Sequence, residues 1–244
     1  MNSAYLMKGH RRAGEVGSGT PDIARLAGLV TEPARAAMLL HLLDGRSWTA
    51  TELAKAAGIR GPTASVHLKK LLAGELIKVS PNGRHRYFRL AGTGIAQLVE
   101  QLQGFAPTHA HAGATPGQRR ASAALRNCRL CYDHLAGRLA VEITGAMVGR
   151  GWLIEDEPWY RVTEVGVKEL GSLGVEPASG RTCMDWSERR LHLAGPLGTQ
   201  LAEALMQRKL LLRDNKSRAL RISALGSEVL GGMFGISAAA MQAA

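Results

Sequence analysis

From residue 20 to residue 104 the apolar positions of this 244-residue chain keep a helical period, stop at Gly or Pro, and resume. Thr20-Pro21-Asp22 marks a helix start, with Ile23, Leu26 and the pair Leu29/Val30 as a short apolar face. Thr31-Glu32-Pro33 interrupts the chain and caps a second helix carrying Ala37, Leu40 and the pair Leu39/Leu43 at helical spacing, ended by Asp44-Gly45. Thr49 or Thr51 starts a third helix that runs through Ala57, and Gly58 closes it with a left-handed turn. Pro62 falls in the first turn of a fourth helix, where a missing amide hydrogen costs nothing. On that helix Ala64, Leu68, Leu71 and Leu72 lie within about 100° of one another and form the core face. Pro62, Thr63, Val66, Lys69 and Lys70 lie opposite, flanked by Ser65 and His67. Two short strands joined at Pro81-Asn82-Gly83 follow, then a fifth helix with Ile95, Leu98 and Leu102.

Residues 104 to 121 are rich in Gly, Pro, Ala, Thr and His, the composition of a linker. His109 and His111 belong to it and read as exposed linker residues rather than ligands. Beyond it the chain repeats itself weakly. Residues 71 to 94, 146 to 166 and 205 to 226 each read as a helix end, a short apolar strand, a polar turn, a second strand and a Gly-bearing helix start. The second turn carries Glu155, Asp156 and Glu157, which would repel phosphate. The third carries Arg208, Lys209, Arg213, Lys216, Arg218 and Arg221, which could assist a polyanion contact or form a solvated surface.

The expected fold class is mainly α with small β-wings: a winged helix-turn-helix domain followed by a second winged-helix-like α+β domain. The expected boundaries are a flexible arm over 1–19, a winged helix-turn-helix domain over 20–104, a linker over 105–122, a C-terminal winged-helix-like domain over 123–235 and a tail over 236–244.

Charge sharpens this reading. The formal net charge is +11. Residues 55 to 89 hold eight Lys or Arg and one acid, Glu75, the footprint expected for a polyanion partner. Small polar groups on the fourth helix let the backbone approach base edges, and Lys reaches phosphates. The expected contacts with double-stranded DNA are therefore Thr63, Ser65, Val66, His67, Lys69 and Lys70 from the helix, and Arg84, His85 and Arg86 from the hairpin. No segment approaches the apolar run of about 18 residues that a membrane span needs, and the N-terminus has no signal-peptide pattern, so a cytoplasmic location without a membrane partner is expected. Three cysteines do not make a disulfide framework.

The first hundred residues resemble the ArsR/SmtB family of bacterial winged-helix repressors. The matching residues are Glu32-Pro33-x-Arg35, Thr51-Glu52-Leu53-Ala54, Ser65-x-His67-Leu68-x-x-Leu71, Gly83-Arg84 and Tyr87. The C-terminal half resembles a longer subgroup of that family through residues 131–137 (CYDHLAG) and 183–193 (CMDWSERRLHL). The resemblance implies a homodimer paired through residues near 22–30 and 92–103, and an effector of unknown identity that lowers DNA affinity. It also shows departures. The stretch from Glu52 to Ala57 holds no Cys or His, and residues 92–103 offer only Glu100, so both metal sites familiar in that family are missing.

Chemistry outside the reader rests on few residues, and the sequence requires no cofactor. Cys128, Cys131 and His134 stand at i, i+3 and i+6, spacing that a helix would bring to one face together with Tyr132, Leu135 and Leu139. With Cys183 and His192 they are candidate thiol or soft-metal ligands; the competing readings are ordinary core cysteines and the polar lining of an organic-ligand pocket. Arg129 or Arg181 could lower the pKa of a sensing thiol. Trp152, Trp159 and Trp186 could line a pocket or fill the core, and Asp185, Glu188, Arg189 and Arg190 could form a buried ion network or a solvated face. No nucleophile elbow, zincin motif, P-loop or dinucleotide fingerprint is present, and an enzyme is not expected. The expected function is a dimeric, DNA-binding transcriptional repressor released by an effector sensed in or near the C-terminal domain. The alternatives are a thiol- or soft-metal-responsive sensor and an effector-independent architectural protein.

Overall fold

Side-chain caps set the helix starts of the N-terminal part. Asp22 accepts from the Arg25 amide at the head of α1 (Ile23–Val30), and Glu32 accepts from the Arg35 amide at the head of α2 (Pro33–Leu42). After β1 (Trp48–Thr49), α3 (Ala50–Ala56) opens with a reciprocal capping box between Thr49 and Glu52. Gly58 turns the chain at φ 66° into α4 (Gly61–Ala73). β2 (Ile77–Asn82) and β3 (His85–Leu90) pair antiparallel around the two-residue turn Gly83-Arg84, β1 joins the far edge of β3, and α5 (Thr93–Phe105) follows. This order of helices and hairpin is a winged helix-turn-helix. The computed structural model describes residues 21–106, 115–214 and 217–242; the N-terminal arm and the His109/His111 pair lie outside them.

Met38, Leu42, Leu53, Leu68, Leu71, Phe88 and Leu90 close the first core. The expected face of α4 holds, with Ala64, Leu68 and Leu71 buried and Leu72 at the edge. The face read for α2 is corrected: Ala34, Met38, Leu39, Leu42 and Leu43 are buried, whereas Leu40 is 38% exposed. α2 turns inward on Arg35, whose guanidinium bonds the carbonyls of Gly28 and Leu29 at the end of α1.

The C-terminal part is α+β. α6 (Pro116–Asn127) leads into the hairpin β4 (Arg129–Cys131) and β5 (His134–Ala136). α7 (Arg138–Gly149), β6 (Leu153–Asp156), β7 (Trp159–Val162), α8 (Glu164–Gly171), β8 (Gly180–Met184) and β9 (Leu191–Ala194) follow, and the last four strands named form one sheet in sequence order. α9 (Gly195–Gln207), the hairpin β10 (Leu211–Arg213) and β11 (Leu220–Ile222), α10 (Ala224–Phe234) and α11 (Ala238–Gln242) complete it. A second core gathers Leu139, Ile143, Met147, Trp152, Tyr160, Leu197, Leu201, Leu205 and Phe234. Two composition-based readings change here. Residues 116–122 of the expected linker are helical, and Ile236 and Met241 of the expected tail are buried in the second core.

The internal repeat is visible in the backbone. A residue with positive φ ends each helix: Glu75, Gly151 and Lys209. The next amide returns to a carbonyl five residues back, as Leu76 to Leu71, Trp152 to Met147 and Leu210 to Leu205. The carbonyls of Leu76, Trp152 and Leu210 then accept from Ala91, Thr163 and Ser223 after the second strand. The units are not equal. Thr163 and Ser223 cap the amides of Gly166 and Gly226, whose missing Cβ lets the helix press on the Trp152 and Leu210 carbonyls. Ala91 has no hydroxyl, and Gly94 faces open space. The second hairpin is also absorbed into a four-stranded sheet, unlike a free wing.

The two cores are docked. The Tyr132 amide donates to the Leu43 carbonyl at 2.7 Å, and the Tyr132 side chain packs on the first core. Arg46 reaches the carbonyls of Asp214 and Ser217, and Arg213 reaches that of Asp44. Arg218 binds Glu100 and Gln103 of α5, and Arg181 reaches Gln97. The third basic turn is therefore not simply a solvated or phosphate-facing surface: Arg213 and Arg218 hold the N-terminal core, and Arg208 holds the Ser172 carbonyl.

Candidate functional site

Exposure on α4 follows the predicted faces. Thr63, Ser65, Val66, Lys69 and Lys70 are solvent-facing, with Val66 54% exposed. Arg84, His85 and Arg86 are exposed on the hairpin beside them. Ser65, Lys69 and Arg86 line a cleft of about 470 Å³ between helix and hairpin, floored by Leu68 and Phe88. Arg86 lies over the Phe88 ring, 5.6 Å from its centre, which limits where the guanidinium can go.

His67 differs from the others. It is half-buried, and its Nδ1 lies 3.3 Å from both Glu32 and Arg35. One knot of Glu32, Arg35 and His67 thus ties α1, α2 and α4 together, so His67 braces α4 from behind. Glu100, the one acid of α5, is buried against Arg218.

The second cluster corrects the sequence reading most. Cys131 and His134 do not lie on a helix. They oppose each other across β4 and β5, and Tyr132 makes the turn between them at φ 64°. Cys183 and His192 oppose each other in the same way across β8 and β9. Opposed residues in an antiparallel pair have Cβ atoms about 5 Å apart on one face, so each hairpin presents one thiol beside one imidazole. The two hairpins pack so that all four donor atoms lie within 4.8 Å of one another. Cys128 is excluded from this set. It sits fully buried in the second apolar core, and burial pushes its thiol up to about 12, outweighing the adjacent Arg129. The core reading suits Cys128; the cluster takes the other two cysteines.

The charges around the cluster are ordered. His134 Nδ1 donates to Asp133 at 3.0 Å. Burial opposes charge on that ring, but Asp133 and Cys183 outweigh it and lift its pKa to about 9. The Cys131 thiol beside Cys183 pulls the Cys183 pKa far below the usual range despite burial, aided by both imidazoles. Burial and the neighbouring Cys183 push Cys131 up. Among the described residues His134 Nε2 and both nitrogens of His192 have no hydrogen-bond partner, and His192 Nδ1 lies 4.0 Å from the Asp185 carboxylate.

Asp185 locks this arrangement. Its carboxylate takes Arg129 Nη2 at 2.9 Å, the Gly137 amide at 2.6 Å, and the Ser187 amide, Ser187 hydroxyl and Glu188 amide at 2.7–3.0 Å. Burial alone would raise the Asp185 pKa, but Arg129, Ser187 and the Gly137 amide hold it near 2. Of the expected ion network only Asp185 is buried, and its partner is Arg129; Arg189 and Arg190 are exposed. Trp186 lies under the Arg129 guanidinium, Trp152 is in the core against Phe234, and Trp159 is 47% exposed. The sequence reading grouped Cys131, His134, Cys183 and His192 as candidate ligands, with Cys128 wrongly among them; it did not reveal that each Cys faces a His across a hairpin, nor the roles of Arg129 and Asp133. The available signal was that each Cys and His pair falls in its own conspicuous motif.

Comparison with known proteins agrees with the N-terminal geometry. A helix-turn-helix domain family matches residues 30–80. The uncharacterized HTH-type transcriptional regulator YdfF of Bacillus subtilis (strain 168) is 38% identical over 214 residues, which is 84% of this chain and 94% of that protein. Among solved structures, a fragment of a possible transcriptional regulatory protein from Mycobacterium bovis is 28% identical and covers 33% of this chain and 86% of its own, with a TM-score of 0.31. The transcriptional repressor BigR from Xylella fastidiosa is also 28% identical, covering 35% and 88%, with a TM-score of 0.32. With the helix–hairpin order described above, the likeness along most of its length places this chain in the family of HTH-type transcriptional regulators.

Proposed function

We propose that this regulator is a cytoplasmic dimeric repressor that grips operator DNA with α4 and the β2–β3 wing, and that an effector sensed in the C-terminal part releases it. The observation that carries the DNA-reading part is the single exposed face formed by Thr63, Ser65, Val66, Lys69 and Lys70 beside Arg84, His85 and Arg86. Thr63, Ser65 and Val66 address base edges in the major groove, Val66 offering an apolar contact suited to a thymine methyl group. Lys69, Lys70 and the wing arginines address phosphates, and the wing reaches the adjacent minor groove. His67 supports this surface from behind.

Exposed apolar side chains support a dimer. Ile23 on α1 is 74% exposed, and Leu102 and Phe105 on α5 are 44% and 89% exposed. They fall on the two helices through which the resemblance implies pairing. The clasp of Arg218 on Glu100 leaves these side chains uncovered, so the C-terminal part and a second copy can use α5 together.

A gel shift on DNA from the promoter region upstream of the coding sequence tests the reading. Lys70→Ala is expected to weaken binding to every sequence and to reduce the salt slope by about one unit. Ser65→Ala is expected to cost more on the cognate site than on random DNA. Equal losses on both would remove Ser65 from the base-reading set. A sharp palindromic footprint is expected; diffuse coverage would favour an architectural protein instead.

A further inference from the structure

Buried imidazole nitrogens without partners are costly, about 1–3 kcal/mol each. Among the described residues three such nitrogens belong to His134 and His192, and one nitrogen of each ring lies within 4.8 Å of the two thiol sulfurs. Cys128, by contrast, is surrounded by aliphatic side chains. Two sulfur and two nitrogen donors are the set that a borderline-soft, tetrahedral cation takes, and no carboxylate of the kind preferred by calcium or magnesium belongs to it. Bond lengths of such a cation place its ligand atoms about 3.3–3.8 Å apart. Donors that already lie within 4.8 Å reach this by a contraction of roughly 1 Å. The outer shell is also built: Asp133 fixes the His134 ring through Nδ1 and leaves Nε2 as the coordinating nitrogen. Cys131, His134 and His192 are buried, whereas Cys183 is part-exposed and gives the cation its way in.

The pocket is joined to the DNA reader by two residues. Tyr132 and Asp133 form the turn between Cys131 and His134, and the Tyr132 amide bonds the carbonyl of Leu43, the C-cap of α2. A Cβ on Gly45 would lie 2.7 Å from the Tyr132 carbonyl, so the turn is seated closely on that corner. α2 begins at the Glu32 and Arg35 knot that braces His67 of α4.

We propose that Cys131, His134, Cys183 and His192 hold one divalent cation of the zinc class, and that its occupancy, by fixing the Tyr132 turn against the end of α2, alters the affinity of the reader for DNA. The site stands by itself; its coupling rests on the DNA-reading assignment above.

Titration of the reduced, chelator-treated full chain with Co²⁺ tests the site. The expected result is one equivalent bound, with tetrahedral d–d bands and thiolate-to-cobalt charge transfer, all displaced by Zn²⁺. Cys183→Ser and Cys131→Ser should each lose part of the charge-transfer intensity and the double variant all of it, and Cys128→Ser should keep it. Asp133→Asn, which leaves all four ligands in place, should weaken binding about 10- to 100-fold. No uptake by the folded reduced chain, or unchanged spectra in the Cys131 and Cys183 variants, overturns the site. For the coupling, the Kd for upstream DNA with and without Zn²⁺ should differ at least about fivefold, and DNA should shift the metal affinity by the same factor. Tyr132→Ala should still bind one Co²⁺ while the effect on DNA drops below about twofold. Equal DNA affinity in both states overturns the coupling. Absence of DNA binding in either state refutes the reader and the coupling with it, and the cobalt spectrum still decides the site.

Discussion

Replacing Asp185 by Asn tests how the C-terminal core is held. The carboxylate and its partner Arg129 are both inaccessible to solvent. One oxygen caps the turn at Ser187 and Glu188, and the other accepts from Arg129 and the Gly137 amide. Asparagine is the same size but brings one acceptor and one NH₂ group. Whichever way it turns, donors face donors on one side, and the Arg129 charge loses its counter-ion. Its remaining contacts, the Leu125 carbonyl, the Ser187 hydroxyl and the Trp186 ring, carry no charge. Breaking a buried ion pair in this way costs about 3–5 kcal/mol. The assay is urea unfolding at pH 7 with a chelator present, followed by circular dichroism, with hydrogen exchange used to locate the loss because two cores need not unfold together. The double variant Arg129→Met, Asp185→Asn removes the stranded charge and should cost clearly less than the sum of the single changes. A loss below about 1.5 kcal/mol for Asp185→Asn, or strict additivity in the double variant, would refute the argument.

Further outcomes follow from the same geometry. Arg35→Leu removes two charged hydrogen bonds to the Gly28 and Leu29 carbonyls; since Gly28 is exposed and water can replace one, a loss of about 2–3 kcal/mol in urea unfolding is expected, with Arg35→Lys recovering about half. Gly226→Ala and Gly166→Ala push a methyl group into a backbone carbonyl and should lower stability by at least about 2 kcal/mol, whereas Gly94→Ala, in open space, should stay within about 0.5 kcal/mol; similar thermal midpoints for all three would contradict the close packing. Burial against Trp48 lowers the His41 pKa, so the unfolded chain takes up the proton first as pH falls. The stability that this residue retains is complete above about pH 6.5 and declines as pH drops toward the depressed folded value. Urea midpoints measured from pH 7.5 to 5.5 should fall less steeply in His41→Phe, and parallel slopes would remove His41 as the cause.

What the sequence determined by itself was the reader. Its elements are local: Thr49 and Glu52 cap each other three residues apart, Gly58 supplies a left-handed turn, and Leu68 and Leu71 recur at helical spacing. Such signals act within one or two turns of chain, so they survive without knowledge of what packs where. The family motifs covered the same stretch. Even here the role of Arg35, quoted only as a motif residue, was hidden, because a buried cation on α2 is intelligible only once the carbonyl end of α1 is beside it.

The tertiary structure alone decided the Cys/His cluster. The spacing of Cys128, Cys131 and His134 suited a helix face, and nothing in three-residue strands carries a period that would have contradicted it. The reversal depends on Tyr132 accepting a positive φ, which the docking on Leu43 and Gly45 holds in place. The partners of Cys131 and His134 come from a hairpin some fifty residues later, and β8–β9 is joined to β4–β5 through the shared apolar core and through Asp185, which binds Arg129 and the Gly137 amide in the dry interior. The same holds for Arg213 and Arg218, which a sequence shows only as charge and the fold shows as the clasp between the two cores. Periodicity is a property of one segment, whereas a site assembled from two hairpins is a property of how the segments pack.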